Sequence, residues 1–117
     1  MKTDQLTLSS RTTAIIRRSA LAHNVQWLRS RLPAGTQIMA VVKANAYGHG
    51  AALIAPVLQQ IGVDAFGVAA TAEAKELRDA GVVAPVYLLS PVLPDEVEAV
   101  LTTQVTCLVQ DVDFVRH

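Results

Sequence analysis

The sequence predicts an α/β fold built on a parallel sheet. Short apolar runs at 38–42, 65–69, 86–89 and 105–109 lack polar alternation. Such runs read as strands buried on both faces, as parallel strands are. Segments with helical spacing of apolar residues stand between them. Successive strand centres lie about 19 to 27 residues apart, room for one crossover helix each. The composition, 51% hydrophobic and 17% charged, excludes a disordered chain. Two architectures satisfy the alternation: a small open sheet with helices on both faces, or part of a closed barrel. Periodicity does not separate them. At 117 residues the chain is too short for several domains or for a complete (β/α)₈ barrel, which takes about 250 residues.

Each element has its own signal. Residues 1–10 are polar and aperiodic. The segment 12–16 is a short β-favouring run, ended by Arg17 and Arg18. Ser19 is the expected N-cap of a first helix. Leu21, Val25, Leu28 and Leu32 recur along it on one face. Pro33 disfavours helix at Leu32, and 33–36 is a loop. The strand at 38–42 stops at Lys43. Ala44-Asn45-Ala46-Tyr47-Gly48-His49-Gly50 is turn-rich. Ile54, Val57, Leu58 and Ile61 share a helix face, with Gly62 as its stop. Pro56 either starts a shorter helix there or kinks a longer one. After the strand at 65–69, Thr71 is the expected cap of a helix running to near Gly81. After 86–89, a helix runs from Asp95 to about Thr102, with Val97 and Leu101 one turn apart. Asp111 follows the last strand as the cap of a further helix.

Composition also narrows the partners. Ten Lys and Arg balance ten Asp and Glu. A neutral chain offers no electrostatic footprint for nucleic acid or an anionic membrane, and neither is an expected partner. Cys107 is the lone cysteine, so no intrachain disulfide and no four-cysteine zinc site can form. That fits a reducing compartment. Met1-Lys2-Thr3-Asp4-Gln5 lacks the apolar core of a secretory signal, and no run approaches the roughly 20 apolar residues of a membrane span. A cytoplasmic protein is expected.

In parallel α/β folds the C-terminal ends of strands carry the chemistry. Lys43 holds that position. An amine at an apolar strand end sheds hydration, which favours its neutral, nucleophilic form. Such a lysine can form an imine with a carbonyl cofactor. On position alone, a lysine snorkelling to solvent is the commoner case. Tyr47 offers a hydroxyl to a phosphate or carboxylate near the strand tips, or else covers a helix end. Gly48 and Gly50 permit positive φ but form no Walker loop or dinucleotide fingerprint. His49 is expected to hold the turn by hydrogen bonds. His23 lies on the polar side of the first helix. Glu73 and Glu76 read as a solvated helix face, and Asp95, Glu96 and Glu98 as complements to a helix dipole. No two histidines are spaced for a metal, so none is expected. Ser90 has no histidine–acid set near it in the chain.

Taken whole, Ala40-Val41-Val42-Lys43-Ala44-Asn45-Ala46-Tyr47-Gly48-His49-Gly50 resembles the pyridoxal-phosphate attachment motif of alanine racemases. Flanking segments agree. Arg18-Ser19-Ala20-Leu21-Ala22-His23-Asn24 resembles the family's opening helix, and Asp64-Ala65-Phe66-Gly67-Val68-Ala69 its next strand. Glu73-Ala74-Lys75-Glu76-Leu77-Arg78-Asp79-Ala80-Gly81 and Pro85-Val86-Tyr87-Leu88-Leu89 resemble the helix and strand after that. The resemblance implies the N-terminal part of a pyridoxal-phosphate-binding (β/α)₈ barrel that begins with a helix, with about four of eight strands present. Residues 19–117 would be that partial barrel. Residues 1–18 would be a tail and strand pairing with a C-terminal β domain absent from these residues.

The same resemblance implies the activity. Lys43 would carry pyridoxal 5'-phosphate as an internal aldimine and, once freed, transfer a proton on the D-alanine face. Tyr47 matches a tyrosine that contacts the cofactor phosphate. Val41 and Leu89 match positions lining the cofactor. The substrate would be L- or D-alanine, the full-length parent a homodimer, and the product D-alanine a supply for peptidoglycan. The second base, a tyrosine from the partner subunit's C-terminal domain, has no match here, and Tyr87 is not it. Nor has the arginine that pairs the pyridine nitrogen. These 117 residues alone are therefore expected to be inactive. An alternative is a non-catalytic pyridoxal-phosphate-binding barrel of cofactor homeostasis, but the Asn45-Ala46-Tyr47-Gly48-His49-Gly50 continuation argues against it. A flavodoxin-like or receiver-like module ranks last, since a receiver would want acidic residues where Lys43 stands.

Overall fold

A computed structural model describes residues 13–116. Its order is α1 (Arg18–Arg29), β1 (Met39–Val41), a short turn α2 (Lys43–Tyr47), α3 (Ala51–Ile61), β2 (Ala65–Val68), α4 (Thr71–Asp79), β3 (Val86–Pro91), α5 (Val97–Thr103) and β4 (Thr106–Leu108). Single 3₁₀ turns precede α5 and follow β4. Asp111 caps the last of these, its Oδ1 accepting the Phe114 N–H at 2.7 Å.

The four strands form one parallel sheet in the order β1-β2-β3-β4. That order separates the two architectures that periodicity left open. A doubly wound sheet reverses its strand order at a switch point, whereas a barrel adds each strand to the edge of the last. This is the N-terminal part of a (β/α)₈ barrel. Right-handed crossovers place successive helices on the same side of such a sheet. Accordingly α1 packs on α3, α3 on α4 and α4 on α5.

Register assigns the two faces. Ala40, Phe66 and Val86 lie in one row, and Val68 with Leu88 in another, all on the helix side. Phe66, Val68, Val86 and Leu88 are buried there with Ala55, Ala74 and Leu77 from the helices. The opposite face carries Met39, Val41, Gly67, Tyr87 and Leu89. Its large apolar members are open: Met39 is 40% exposed, Val41 39% and Leu89 41%. This corrects the expectation of strands buried on both faces. The open face is the one a complete barrel turns inward. A Cβ on Gly67 would lie 2.9 Å from Leu89 Cδ1 and 3.2 Å from Met39 Sδ. The missing side chain lets those two residues close over the strand.

Helix starts differ from expectation by small shifts. The N-cap of α1 is Arg17, not Ser19, and no side chain caps it. Only Val25 of its apolar stripe is buried; Leu28 and Leu32 are exposed, and Leu32 lies past the helix end. Thr12 is outside the described residues, and 13–17 form no strand. Pro56 sits inside an uninterrupted α3, which ends as expected at Gly62 in the left-handed region. The cap of α4 is Ala70 rather than Thr71. Alanine has no side-chain acceptor for the first helical N–H groups; Glu73 supplies the reciprocal bond, accepting the N–H of Ala70 itself. Among the described residues, no helix is long and apolar enough to cross a membrane.

Candidate active site

Parallel strands bring every β-to-α connection to one rim. Lys43 stands there, directly after β1 and the buried Val42. It is exposed, so the loss of hydration expected at an apolar strand end does not occur in these residues. Among the described residues its amine makes no hydrogen bond or ion pair. The other described lysine, Lys75, is paired with Asp79 at 2.5 Å.

The turn after Lys43 is left-handed. Ala44, Asn45, Ala46 and Tyr47 have φ of 50°, 54°, 55° and 54°. L-residues in that region cost roughly 1–2 kcal/mol each, so four in succession need external support. Strain of this kind concentrates at functional sites. Gly48 and Gly50, also at positive φ, let the chain leave the turn without that cost.

Beyond its own backbone hydrogen bonds, burial and three side chains support the turn. Ala46 is buried in the core. Asn45 Oδ1 accepts the Ala51 N–H at 2.8 Å, tying the turn to the start of α3. His49 Nδ1 donates to Ala46 O at 2.8 Å, the turn-holding role expected of it. Glu73, from the next unit of the barrel, accepts the Ala44 N–H at 2.8 Å. Its second oxygen accepts the N–H groups of Ala69 at 2.7 Å and Ala70 at 3.2 Å.

Tyr47 ends the turn, 61% exposed. Its hydroxyl has no hydrogen-bond partner among the described residues. Lys43 and Tyr47 are thus brought to one rim by one turn, as the sequence suggested. Val41 and Leu89 lie on the open face below it. Glu73 is not the solvated face residue that its position in the sequence suggests but a clamp on three backbone N–H groups. The signal was present: a glutamate three residues after the N-cap is the reciprocal half of a capping box. It shows only when the cap is Ala70, since from Thr71 the spacing to Glu73 is two.

At the opposite rim the chemistry is structural. Asp64 Oδ2 accepts the Ile38 N–H at 2.7 Å and pairs with Arg29 Nη2 at 2.7 Å. That backbone N–H, then the guanidinium, hold its carboxyl below the ordinary value of 3.8. Arg78 donates to four backbone carbonyls, those of Thr103, Val82, Ala84 and Gln104.

Comparison with known proteins decides the family. Residues 16–117 match the model of the alanine racemase N-terminal domain. The chain belongs to that family. It is 45% identical over 86 residues to an alanine racemase of Nostoc, covering 73% of this chain and 22% of the relative. Among solved structures it resembles the Enterococcus faecalis alanine racemase at 40% identity and a TM-score of 0.80, over 86% of this chain and 27% of that one. It resembles a Bartonella henselae alanine racemase with covalently bound pyridoxal phosphate at 33% identity and 0.75, over 86% and 29%. A histidine racemase from Leuconostoc mesenteroides is similar at 29% identity and 0.76, over 85% and 26%. The chain therefore spans about a quarter of the length of the relatives it matches.

Proposed function

We propose that the protein carrying this chain is a pyridoxal 5'-phosphate-dependent racemase that interconverts L- and D-alanine, with Lys43 as the cofactor's attachment point. The observation that carries the reading is the Lys43 amine itself: at the rim of β1, exposed, and unpaired among the described residues. The donor set suits the cofactor. A primary amine condenses with an aldehyde. The Tyr47 hydroxyl can donate to a phosphate oxygen. Val41 and Leu89 offer an apolar wall to a planar ring.

When bound, the cofactor supplies an electron sink that acidifies the substrate Cα–H. The chain's own part is to hold it and to move a proton. Lys43 Nζ serves one face of the substrate Cα, the D-alanine face. Inversion is simplest with a second group on the opposite face. No residue from 13 to 116 is assigned that role. The family resemblance gives it to a tyrosine of the partner subunit in a homodimer. The tail at 1–18 and a C-terminal β domain, the cytoplasmic setting and a supply of D-alanine for peptidoglycan belong to the same proposal.

The test is racemisation by the protein in the longest form its gene encodes, assayed from both enantiomers in deuterated water. L-alanine should yield deuterated D-alanine, and the reverse. L-histidine run in parallel should turn over far more slowly. Lys43→Ala should lower the rate by at least about 10²–10⁴-fold, the range for a proton-transfer group. Undiminished turnover by that variant would refute the assignment. Residues 1–117 alone should not racemise. Among the described residues their apolar face is open and the outer strands β1 and β4 have unpaired edges, both of which favour association.

A further inference from the structure

We propose that Glu73 is a positioning residue for Lys43, acting through the peptide bond that joins Lys43 to Ala44. This rests on the reading of Lys43 as the cofactor's attachment point and goes beyond it. A glutamate at the third position of a helix ordinarily serves its own N-terminus by accepting the N-cap N–H. Glu73 does so for Ala70, but that is its longest bond, 3.2 Å. The two shorter bonds go elsewhere. One, 2.7 Å, takes the N–H of Ala69 at the mouth of β2. The other, 2.8 Å, crosses 29 residues of sequence to the N–H of Ala44. One carboxylate thereby ties two neighbouring barrel units together at the rim.

The target matters. Ala44 is the first left-handed residue, at φ 50°. An N–H in the first turn of a helical segment lacks a partner within it, and Glu73 supplies one from outside. Fixing that amide plane constrains Lys43 ψ and Ala44 φ, the torsions on either side of the bond. Those set where the chain turns away from the Lys43 side chain. Without the acceptor, the strained turn is free to relax toward ordinary backbone, and the amine moves with it.

The variant Glu73→Gln keeps shape and loses one acceptor. Its NH₂ must face either Ala44 or Ala69 and Ala70, donor against donor. Glu96→Gln is the control. Glu96 also caps a helix start at this rim, accepting the Leu93 N–H at 2.9 Å and the Thr71 hydroxyl at 3.2 Å, without touching the turn. Two readouts are needed on the protein in the longest form its gene encodes. The first is hydrogen exchange at the Ala44 amide in cofactor-free protein. The second is the rate at which added pyridoxal 5'-phosphate becomes fixed to Lys43 by borohydride.

Glu73→Gln should speed exchange at Ala44 and slow fixation by between about 10- and 100-fold, the scale of a small misplacement of a reacting group. Glu96→Gln should lower the melting temperature and change neither readout. Fixation in Glu73→Gln as fast as in the parent, or slowed equally by Glu96→Gln, overturns the proposal. A parent protein that never fixes cofactor at Lys43 overturns the underlying reading, and positioning for capture with it. Faster Ala44 exchange in Glu73→Gln would then show that the clamp itself was correctly read.

Discussion

Where helices run back into strands, the largest polar groups are donors aimed at carbonyls. Arg29 reaches the carbonyls of Thr36 and Gly62, and Arg78 reaches four more. Gln59 and Asp64 complete that rim by accepting the N–H groups of Val83, Ala84 and Ile38. Where strands run into helices, the linking groups are chiefly acceptors: Asn45, Glu73 and Glu96 each take backbone N–H groups. The contrast follows from helix ends, which leave carbonyls at one terminus and N–H groups at the other. What it teaches lies in the remainder. At the first rim Arg29, Asp64, Gln59 and Arg78 all have partners. At the second, Lys43 and Tyr47 have none among the described residues, and they sit on backbone that is costly to hold. One rim has its polar side chains tied to backbone; the other leaves two groups unpaired among the described residues, the two that the proposed function gives to the cofactor.

Exchanging roles between the rims would break that comparison. Lys43→Ala should abolish cofactor fixation while shifting stability by no more than about 0.5 kcal/mol, since its side chain touches little. Arg78→Ala should do the reverse. Losing four charge-assisted bonds, three of them partly buried, should cost about 2–4 kcal/mol in denaturant unfolding, with fixation at Lys43 unchanged in the protein that remains folded.

Asp64 sharpens the contrast through pH. Its carboxyl is held below 3.8 by the Ile38 N–H and Arg29. Its contribution is therefore full above that value and is lost as pH falls through the lower folded value. Asp64→Asn should lower stability at neutral pH and flatten this part of the acid limb, read by unfolding between pH 5 and pH 2. The smallest effect belongs to the strained turn. Ala44→Gly should be neutral or stabilising by up to about 1 kcal/mol, because glycine relieves the left-handed conformation. In the middle of a right-handed helix the same change should cost about 0.5–1 kcal/mol.

Much of this was legible in the sequence, for physical reasons. The strands showed themselves because a sheet covered by helices tolerates few polar residues at positions such as Phe66, Val68 and Leu88. The candidate site showed itself because Lys43 interrupts an apolar run and is followed by small residues and glycines. Strand order was not legible, since periodicity is local and sheet neighbours are not. Nor was the open face: Met39, Val41 and Leu89 look like core residues, and local sequence does not tell a covered strand face from an open one. The left-handed turn was hidden because Ala44, Ala46 and Tyr47 are not residues that prefer it; Asn45 and tertiary bonds impose it. The capping half of Glu73's role was legible in its spacing from Ala70; its bond to Ala44, 29 residues upstream, was not.

The central claim is tested most directly by where the cofactor is fixed. The protein, loaded with pyridoxal 5'-phosphate, is reduced with borohydride, digested, and its labelled peptide sequenced. The account predicts a single modified residue, Lys43, within Ala40-Val41-Val42-Lys43-Ala44-Asn45-Ala46-Tyr47. A label on Lys75, on any other lysine of the protein, or on none would contradict it.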